Sequence, residues 1–380
     1  MLNYKLRGIM EDKKIKIAQI VGNATTGGVI SCVLNFYRHI DRSRFQFDFY
    51  SYGPSKYDEE IKALGGSVFY VPKAIRPLSH VSKLKKLLKD GDYDIVHAHL
   101  TTLSVVSLFA AKLAKVDKRV CHSHSTTRRG EATKIVKDCL RPFSKTFATH
   151  TAGCSEYSIR WLYGEKTAKT SFLLHNAIDL DRFVPNAELR SRTRRTLGID
   201  DDFVFGSIGR FVYQKNYTFL IDAFALYCKN NTDGKLLLVG DGDERADIVK
   251  RIEKHGIKDR VLLLDEVSDV QKYYSAFDAF VLPSRYEGLP LVAVEAQAMN
   301  LPCLLSKEIT EEVDVGGTYA FLGIDSPKTW ADAMQKLFDE HPTYNVHDSL
   351  VGGSFDVLNE TKRLENYYEQ IVGTTEQEQQ

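Results

Sequence analysis

The sequence predicts an α/β protein built from two doubly wound, Rossmann-like domains that face each other across a cleft. Three observations carry that prediction. Short apolar runs of strand length alternate with longer amphipathic segments along nearly the whole chain, which is the rhythm of βαβ units and mostly parallel sheets. The rhythm breaks once, at the polar, turn-rich stretch Leu174-His-Asn-Ala-Ile-Asp-Leu-Asp-Arg-Phe-Val-Pro, and then restarts. A length of 380 residues also exceeds what one core ordinarily organises.

In the first half, strands are expected at residues 16–21, 45–52, 67–71, 95–97, 119–122 and 146–153. Helices are expected at 29–39, 57–64, 79–88, 103–114, 134–145 and 155–162, each with apolar residues at helical spacing. A Gly-rich turn separates the first strand from the first helix. After the linker, strands are expected at 204–209, 235–239, 261–264, 279–283 and 302–306, with helices at 217–229, 244–255, 270–277, 290–299, 327–338 and about 355–372. The helix at 290 is placed by Pro290, since proline suits a first helical turn and not an interior. The expected units are 1–183, 184–354, a last helix over 355–372 that crosses back to the first domain, and a tail over 373–380. That tail has no apolar anchor and is expected to be disordered.

Composition narrows the function. The chain is 43% hydrophobic and 27% charged, the balance of a globular protein. A net charge of +1 argues against wholesale nucleic-acid binding. The average hides a basic stretch from Arg76 to Lys169, with 18 Lys/Arg against 8 Asp/Glu, a local net of +10. Such a stretch suits anionic lipid or phosphate, and equally an ordinary solvated face. The six cysteines are scattered without a CxxC pair, which favours reduced thiols over disulfides or zinc. No apolar run reaches membrane-span length, and the first sixteen residues lack a signal-peptide core. A cytoplasmic protein, at most peripheral to a membrane, is the expectation.

The candidate chemistry concentrates in the second half. Glu287 and Glu295 lie eight positions apart in Ser284-Arg-Tyr-Glu-Gly-Leu-Pro-Leu-Val-Ala-Val-Glu-Ala-Gln, Glu287 between a strand end and a helix start and Glu295 further along that helix. In open α/β sheets ligands bind there, and helix N-termini favour phosphates. Gly206-Ser-Ile-Gly-Arg-Phe-Val-Tyr-Gln-Lys-Asn places Arg210 and Lys215 on one loop, a fork and a point charge suited to a diphosphate. Either cation alone is more often simply solvated. Leu236-Leu-Leu-Val-Gly-Asp-Gly-Asp-Glu-Arg ends another strand in glycines, read first as a tight turn and second as a close approach to a nucleotide. Val267, after the next strand end, is positioned to meet the base.

The first half offers Gly27-Gly28 at the start of its first helix, where backbone can come close to a ligand. With Gly22 the spacing is not that of a GxGxxG fingerprint, which lowers the odds of an NAD-dependent dehydrogenase. Asp94-Ile-Val-His-Ala-His and Cys121-His-Ser-His put four histidines at two strand ends. Without HxxxH or HExxH spacing, hydrogen bonding in a polar cleft is favoured over metal binding. His124 is expected to point into the cleft. His97 and His99 read at least as well as histidines satisfied within the strand ends.

Together these segments resemble family 4 of the GT-B glycosyltransferases, retaining enzymes that use nucleotide sugars. The resemblance covers nearly the whole chain. It runs through Gly27-Gly28, Asp94-Ile-Val-His-Ala-His, His122-Ser-His, Asn176-Ala-Ile-Asp-Leu-Asp-Arg-Phe, Gly209-Arg210 with Gln214-Lys-Asn, and Glu287-Gly-Leu-Pro with Glu295. Ala177 stands where the family usually has glycine. The resemblance implies an acceptor-side domain at 1–183 and a donor-binding domain at 184–354. It implies that Arg210 and Lys215 clamp the donor phosphates, and that Gly288, Leu289, Pro290 and Leu291 offer backbone to diphosphate or sugar. By the same resemblance Glu295 contacts ribose, and Glu287 and His124 face the donor sugar as the residues nearest the chemistry. No cofactor and no metal are implied; the nucleotide sugar, commonly a UDP-sugar, is a substrate.

Tyr57-Asp-Glu-Glu-Ile-Lys-Ala-Leu-Gly-Gly is similar to segments of capsular and exopolysaccharide transferases. That implies a hexosyltransferase acting on a glycan or lipid-linked acceptor in bacterial surface polysaccharide synthesis, with peripheral membrane contact and no nucleic acid. A sugar-nucleotide epimerase on the same fold and a non-catalytic partner subunit are the alternatives. A phosphorylase is disfavoured by length.

Overall fold

The computed structural model describes residues 14–23, 28–124, 134–267 and 269–377. Two parallel sheets organise them. The first has strands β1 (Ile15–Gly22), β2 (Phe45–Ser51), β3 (Val68–Tyr70), β4 (Ile95–Ala98), β5 (Lys118–Ser123), β6 (His150–Gly153) and β7 (Phe172–Leu173) in the order β3-β2-β1-β4-β5-β6-β7. The second has β8 (Val204–Ile208), β9 (Lys235–Val239), β10 (Val261–Leu264), β11 (Ala279–Leu282), β12 (Cys303–Ser306) and β13 (Thr318–Leu322) in the order β10-β9-β8-β11-β12-β13. Both sheets reverse their winding once, between β1 and β4 and between β8 and β11. At such switch points the loops leaving adjacent strands part and open a crevice. Arg210 and Lys215 follow β8 and Glu287 follows β11, on either side of the second switch point, whereas His124 follows β5 and Val267 follows β10.

The strands are buried on both faces, as parallel strands covered by helices must be. β8 is buried along its length, and β9 along all but Lys235. In the first domain Phe45, Phe47 and Phe49 of β2 point to one side and meet Tyr37, which stacks on Phe47 with ring centroids 5.0 Å apart. The last helix, Val357–Gln377, closes that same core with Val357, Leu364, Tyr368 and Ile371. It reaches the first domain because Ile178 and Asp356 pair as a parallel bridge, with the N–H of Ile178 on Phe355 and the N–H of Val357 on Ile178 at 2.9 and 3.0 Å. Outgoing linker and returning chain thus lie side by side. Two further contacts join the halves: the Lys56 ammonium pairs with Glu266, and the Glu312 carboxylate accepts the N–H groups of Glu156 and Tyr157 at 3.2 Å each.

Several elements differ from expectation. The helix expected over 134–145 stops at Leu140, and a short 3₁₀ turn, Arg141–Phe143, follows. Pro142 lacks an N–H and would clash with the carbonyl four residues back, so an α-helix cannot continue through it. The strand expected over 146–153 is shortened to His150–Gly153. The tail expected to be disordered from 373 instead continues the last helix to Gln377; Glu and Gln are fair helix formers and nothing after Gly373 breaks the run. Residues 378–380 lie outside the described residues.

Several elements escape sequence reading, among them the two-residue strand β7 and the short helices Glu165–Ala168 and His347–Leu350; two others bear on the second domain. One is the edge strand β13, half-buried throughout. The other is the helix Ala187–Leu197, capped by the Asn186 side chain on the N–H of Leu189 at 2.8 Å and ended by Gly198 at φ 65°. Its sequence, Ala-Glu-Leu-Arg-Ser-Arg-Thr-Arg-Arg-Thr-Leu, carries almost no apolar stripe. Charges seat it instead: Asp278 accepts from Arg190 at 2.5 Å, from Arg194 at 3.1 Å and from the N–H of Val204 at 2.7 Å.

Candidate active site

At the second switch point, the loop after β8 and the loop after β11 are stitched together. The N–H of Arg285 donates to the Gln214 carbonyl at 2.7 Å, and Asn216 Nδ2 to the Pro283 carbonyl at 3.2 Å. Asn216 itself adopts φ 59°, a left-handed conformation that asparagine tolerates, and turns the chain into the helix Tyr217–Asn230. Gln214 Nε2 donates to the Tyr286 carbonyl at 3.0 Å and to Glu287 Oε2 at 2.8 Å. Glu287 Oε1 receives the Ser284 hydroxyl at 3.1 Å and lies 2.8 Å from Lys215 Nζ. Glu287 and Lys215 are only 11% and 14% exposed, so this ion pair is poorly screened and geometrically fixed. An ammonium has three protons; the Glu287 pair leaves Lys215 able to donate to a phosphate as well.

Arg210 follows Gly209 directly, is exposed, and makes no side-chain ion pair among the described residues. It stands free to meet an anion. The glycines after β9 explain how this loop is shaped. A Cβ on Gly240 would come within 2.0 Å of the Gly209 carbonyl oxygen, and one on Gly242 within 2.5 Å of that of Phe211. The Val-Gly-Asp-Gly segment therefore serves loop-on-loop packing that presents Arg210 and Lys215.

The helix Leu291–Ala298 begins just after Pro290, one position later than expected. The first N–H groups of a helix have no intrahelical acceptor; here that of Ala293 turns back to the Pro290 carbonyl at 3.0 Å, and those of Leu291 and Val292 ahead of it give this end the geometry of an anion site. Leu289 and Leu291 turn their side chains into the hydrophobic core, so only their backbone can serve a ligand; Pro290 has no N–H to give. Gly288 is buried with them. Glu295 lies further along this helix and receives the Tyr274 hydroxyl at 2.8 Å. Burial pushes the Glu295 carboxyl up, opposed by that hydrogen bond and by the charges of Arg182 and Lys215. Arg182, on the linker, was not anticipated. Val267 is half-buried against the same core, beside Glu266 and its Lys56 partner.

At the first switch point, Gly28 opens the helix Gly28–His39 with nothing within 4 Å of where a Cβ would stand. Gly27 lies outside the described residues. The four histidines gather as one array: His97 and His122 are 3.0 Å apart through Nε2 and Nδ1, and His99 and His124 are 2.7 Å apart through Nδ1 and Nε2. His97, His99 and His122 are buried. Burial pulls all four imidazoles below their ordinary value, His124 to about 4, so they are neutral near pH 7. Nitrogens of His97, His99 and His122 lie within 4.8 Å of one another, close enough to be weighed as a ligand set, yet His97 Nε2 and His122 Nδ1 are hydrogen-bonded to each other and His99 Nε2 to Gln19 Oε1. His124 sits just past the end of β5, partly open to solvent, with Nδ1 buried and unpartnered.

Of the residues singled out in the sequence, the structure brings Glu287 and Lys215 together and holds Glu287 with Gln214 and Ser284, which were not singled out. Gln214 directly precedes Lys215 and Ser284 stands three residues before Glu287; their hydrogen bonds were the missing signal. Tyr274, Gln19 and Tyr368 come from distant segments, and no local pattern points to them.

Two family descriptions match the chain: "Glycosyltransferase Family 4" over residues 26–182 and "Glycosyl transferases group 1" over residues 190–347. The chain is 35% identical over 340 residues to the putative glycosyltransferase EpsF of Bacillus subtilis (strain 168), covering 86% of this chain and 88% of that one. It is 28% identical to the UDP-Gal:alpha-D-GlcNAc-diphosphoundecaprenol alpha-1,3-galactosyltransferase of Escherichia coli, over 94% and 98% of the two chains. Among solved structures, Anabaena Alr3699/HepE in complex with UDP-glucose superimposes with a TM-score of 0.80 at 20% identity, over 93% of this chain and 99% of that one. With both halves matched and the two-sheet architecture shared, this chain belongs to glycosyltransferase family 4 and has the GT-B fold.

Proposed function

We propose that this glycosyltransferase moves a hexosyl group from a UDP-sugar to a hydroxyl of a lipid-linked glycan acceptor in surface polysaccharide synthesis, with retention and without a metal. The observation that carries the reading is Glu287, held by Lys215, Gln214 and Ser284 beside a helix N-terminus at a switch point. A carboxylate fixed by three partners is a positioning group. The cation paired with it remains able to bind the leaving diphosphate. The named activity of the E. coli relative and the UDP-glucose held by HepE support the choice of donor class.

In this reading the diphosphate lies over the first turn of Leu291–Ala298, with Arg210 and Lys215 drawing charge from its oxygens. The bond from the anomeric carbon to the β-phosphate oxygen lengthens. The departing oxygen takes the proton of the acceptor hydroxyl on the same face of the sugar, and the acceptor oxygen bonds to the carbon. Glu287 orients the sugar and stabilises the positive charge that develops there; it forms no covalent bond. Glu295 accepts from the ribose hydroxyls while Tyr274 holds its other side. Two flexible cations on one loop supply the charge neutralisation that a divalent ion gives in other transferases.

A thermal-shift screen against nucleoside diphosphates and their sugars tests the donor assignment. A rise in melting temperature for a uridine series, larger for one sugar than for UDP alone, is expected. Stabilisation by purine or deoxythymidine nucleotides alone would reject UDP. Retention is tested by the anomeric configuration of the product, read by NMR; an inverted linkage contradicts it.

A further inference from the structure

The histidine array forms a single hydrogen-bonded chain with two residues from far away. Gln19 stands opposite His97 in the register of β1 with β4, and the register of β5 with β4 carries His122 and His124 onto the same face. Tyr368 arrives from the last helix and fills the space between Gln19 and His97. In order, the links are His122 Nδ1 to His97 Nε2 at 3.0 Å, His97 Nδ1 to the Tyr368 hydroxyl at 2.7 Å, and that hydroxyl to Gln19 Nε2 at 3.1 Å. Gln19 Oε1 then lies 2.8 Å from His99 Nε2, and His99 Nδ1 lies 2.7 Å from His124 Nε2. Gln19 is 1% exposed and Tyr368 fully buried, so no water competes for these links.

Proton counting along this chain leaves one solution. A neutral imidazole carries one N–H, and an amide donates only through nitrogen and accepts only through oxygen. Gln19 Oε1 can only accept, so His99 carries its proton on Nε2 and its Nδ1 is a lone pair. That lone pair accepts from His124, whose proton is therefore on Nε2. In the other direction, Gln19 Nε2 donates to Tyr368, which must give its own proton to His97 Nδ1. His97 then donates from Nε2 to His122 Nδ1. The chain ends on a bare His124 Nδ1 and on a His122 Nε2–H, and among the described residues these are the two ring nitrogens of the array without a partner. With the ends of the Gln19 amide exchanged, every proton would move to the opposite nitrogen. Gln19 therefore sets the polarity of the whole chain.

We propose that Gln19 and Tyr368 are positioning residues that fix His124 in one tautomer, with the proton on Nε2 and a lone pair on Nδ1 to accept from a sugar hydroxyl of the donor. This rests on the reading of His124 as a donor-sugar contact. It makes the last helix, which follows the second domain in the chain, a determinant of first-domain chemistry.

Two-bond proton–nitrogen NMR correlations of the full chain, labelled with ¹⁵N-histidine, read each tautomer directly; loss of one signal in each single His→Asn variant assigns them. The expected result is Nε2–H for His97, His99, His122 and His124. In Gln19→Glu the carboxylate cannot donate, so Tyr368 gives its proton to residue 19. His97 and His122 should then switch to Nδ1–H while His99 and His124 keep Nε2–H. A merely structural role would broaden or shift signals without inverting one pair. Tyr368→Phe is the second variant: His97 and His122 should become a mixture of tautomers while His124 is unchanged. A wild-type His124 with its proton on Nδ1, or variants that leave all four tautomers as they were, overturns the proposal whatever donor the enzyme takes. A stoichiometric divalent metal retained on purification, whose chelation alters these signals, also overturns it. Failure of every nucleotide sugar to move the His124 signals, with the tautomers as expected, would reject the sugar-facing role and leave the chain's polarity established.

Discussion

At the residue scale, the proposed donor site depends on Lys215 serving two anions. Its Nζ is 2.8 Å from Glu287, and in the proposed reading an incoming diphosphate adds a second partner. Hydrogen bonds to charged groups contribute about 1.5–3 kcal/mol each. Lys215→Ala should therefore weaken UDP binding by roughly 10- to 100-fold in titration calorimetry. An affinity within twofold of wild type would mean that Arg210 and the helix N-terminus hold the phosphates without it. Gly240 limits what this loop tolerates, because a methyl group there would meet the Gly209 carbonyl oxygen rather than a side chain able to move.

At the element scale, the helix Ala187–Leu197 and the histidine strands show where sequence reading succeeds and where it fails. Apolar periodicity revealed the strands and amphipathic helices because burial is what makes them. The arginine-rich helix is seated by Asp278, and nothing in its own pattern names that partner. Arg194 is 6% exposed, so Asp278→Ala leaves a buried cation unpaired, at a cost of about 3–5 kcal/mol. A large drop in melting temperature with the fold retained is expected; an unchanged melting temperature would show that the helix is held by its few apolar contacts.

The array on β4 and β5 gives a pH signature. Burial lowers the folded-state pKa of His97, His99, His122 and His124 beneath the unfolded value of about 6.5. Below that pH the unfolded chain takes up protons first, so stability is full above it and falls with pH, by up to about 1.4 kcal/mol per pH unit for each imidazole. Glu295, raised by burial, acts in the opposite sense, but as one group against four. Melting should fall by several degrees between pH 7.5 and 5.5. A flat profile would contradict neutral buried imidazoles. The histidine pairs themselves were legible as HxH motifs at strand ends. Their chain was not, since Gln19 and Tyr368 lie 349 residues apart.

At the scale of the whole molecule, the N-terminal end of the helix Gly28–His39 and the histidine array of one sheet, and the Glu287 loop of the other, lie at the carboxyl ends of their strands. The two-domain plan was legible because the βαβ rhythm stopped and restarted. The return of the last helix to the first domain was expected from the family the chain resembles, and Val357, Leu364, Tyr368 and Ile371 do pack in that core; the place of Tyr368 beside His97 and Gln19 was not legible. The first domain also carries exposed apolar side chains, Leu78 at 88%, Ile135 at 78%, Ile75 and Phe143, among the cations of its basic stretch. No helix among the described residues is long and apolar enough to cross a membrane. We propose that these side chains and the neighbouring cations meet anionic lipid at an interface. Sedimentation with anionic vesicles should be strong at low salt and lost at high salt; no binding at low salt would contradict that contact.

In the proposed reaction, Glu287 acts on the reacting sugar while the cations hold the nucleotide. Turnover of Glu287→Ala, measured beside its UDP affinity once the donor is known, tests it most directly. Turnover should fall by about 10²- to 10³-fold, the scale of one lost electrostatic contact in a transition state, with UDP affinity within a few-fold of wild type. Unchanged turnover would contradict the account.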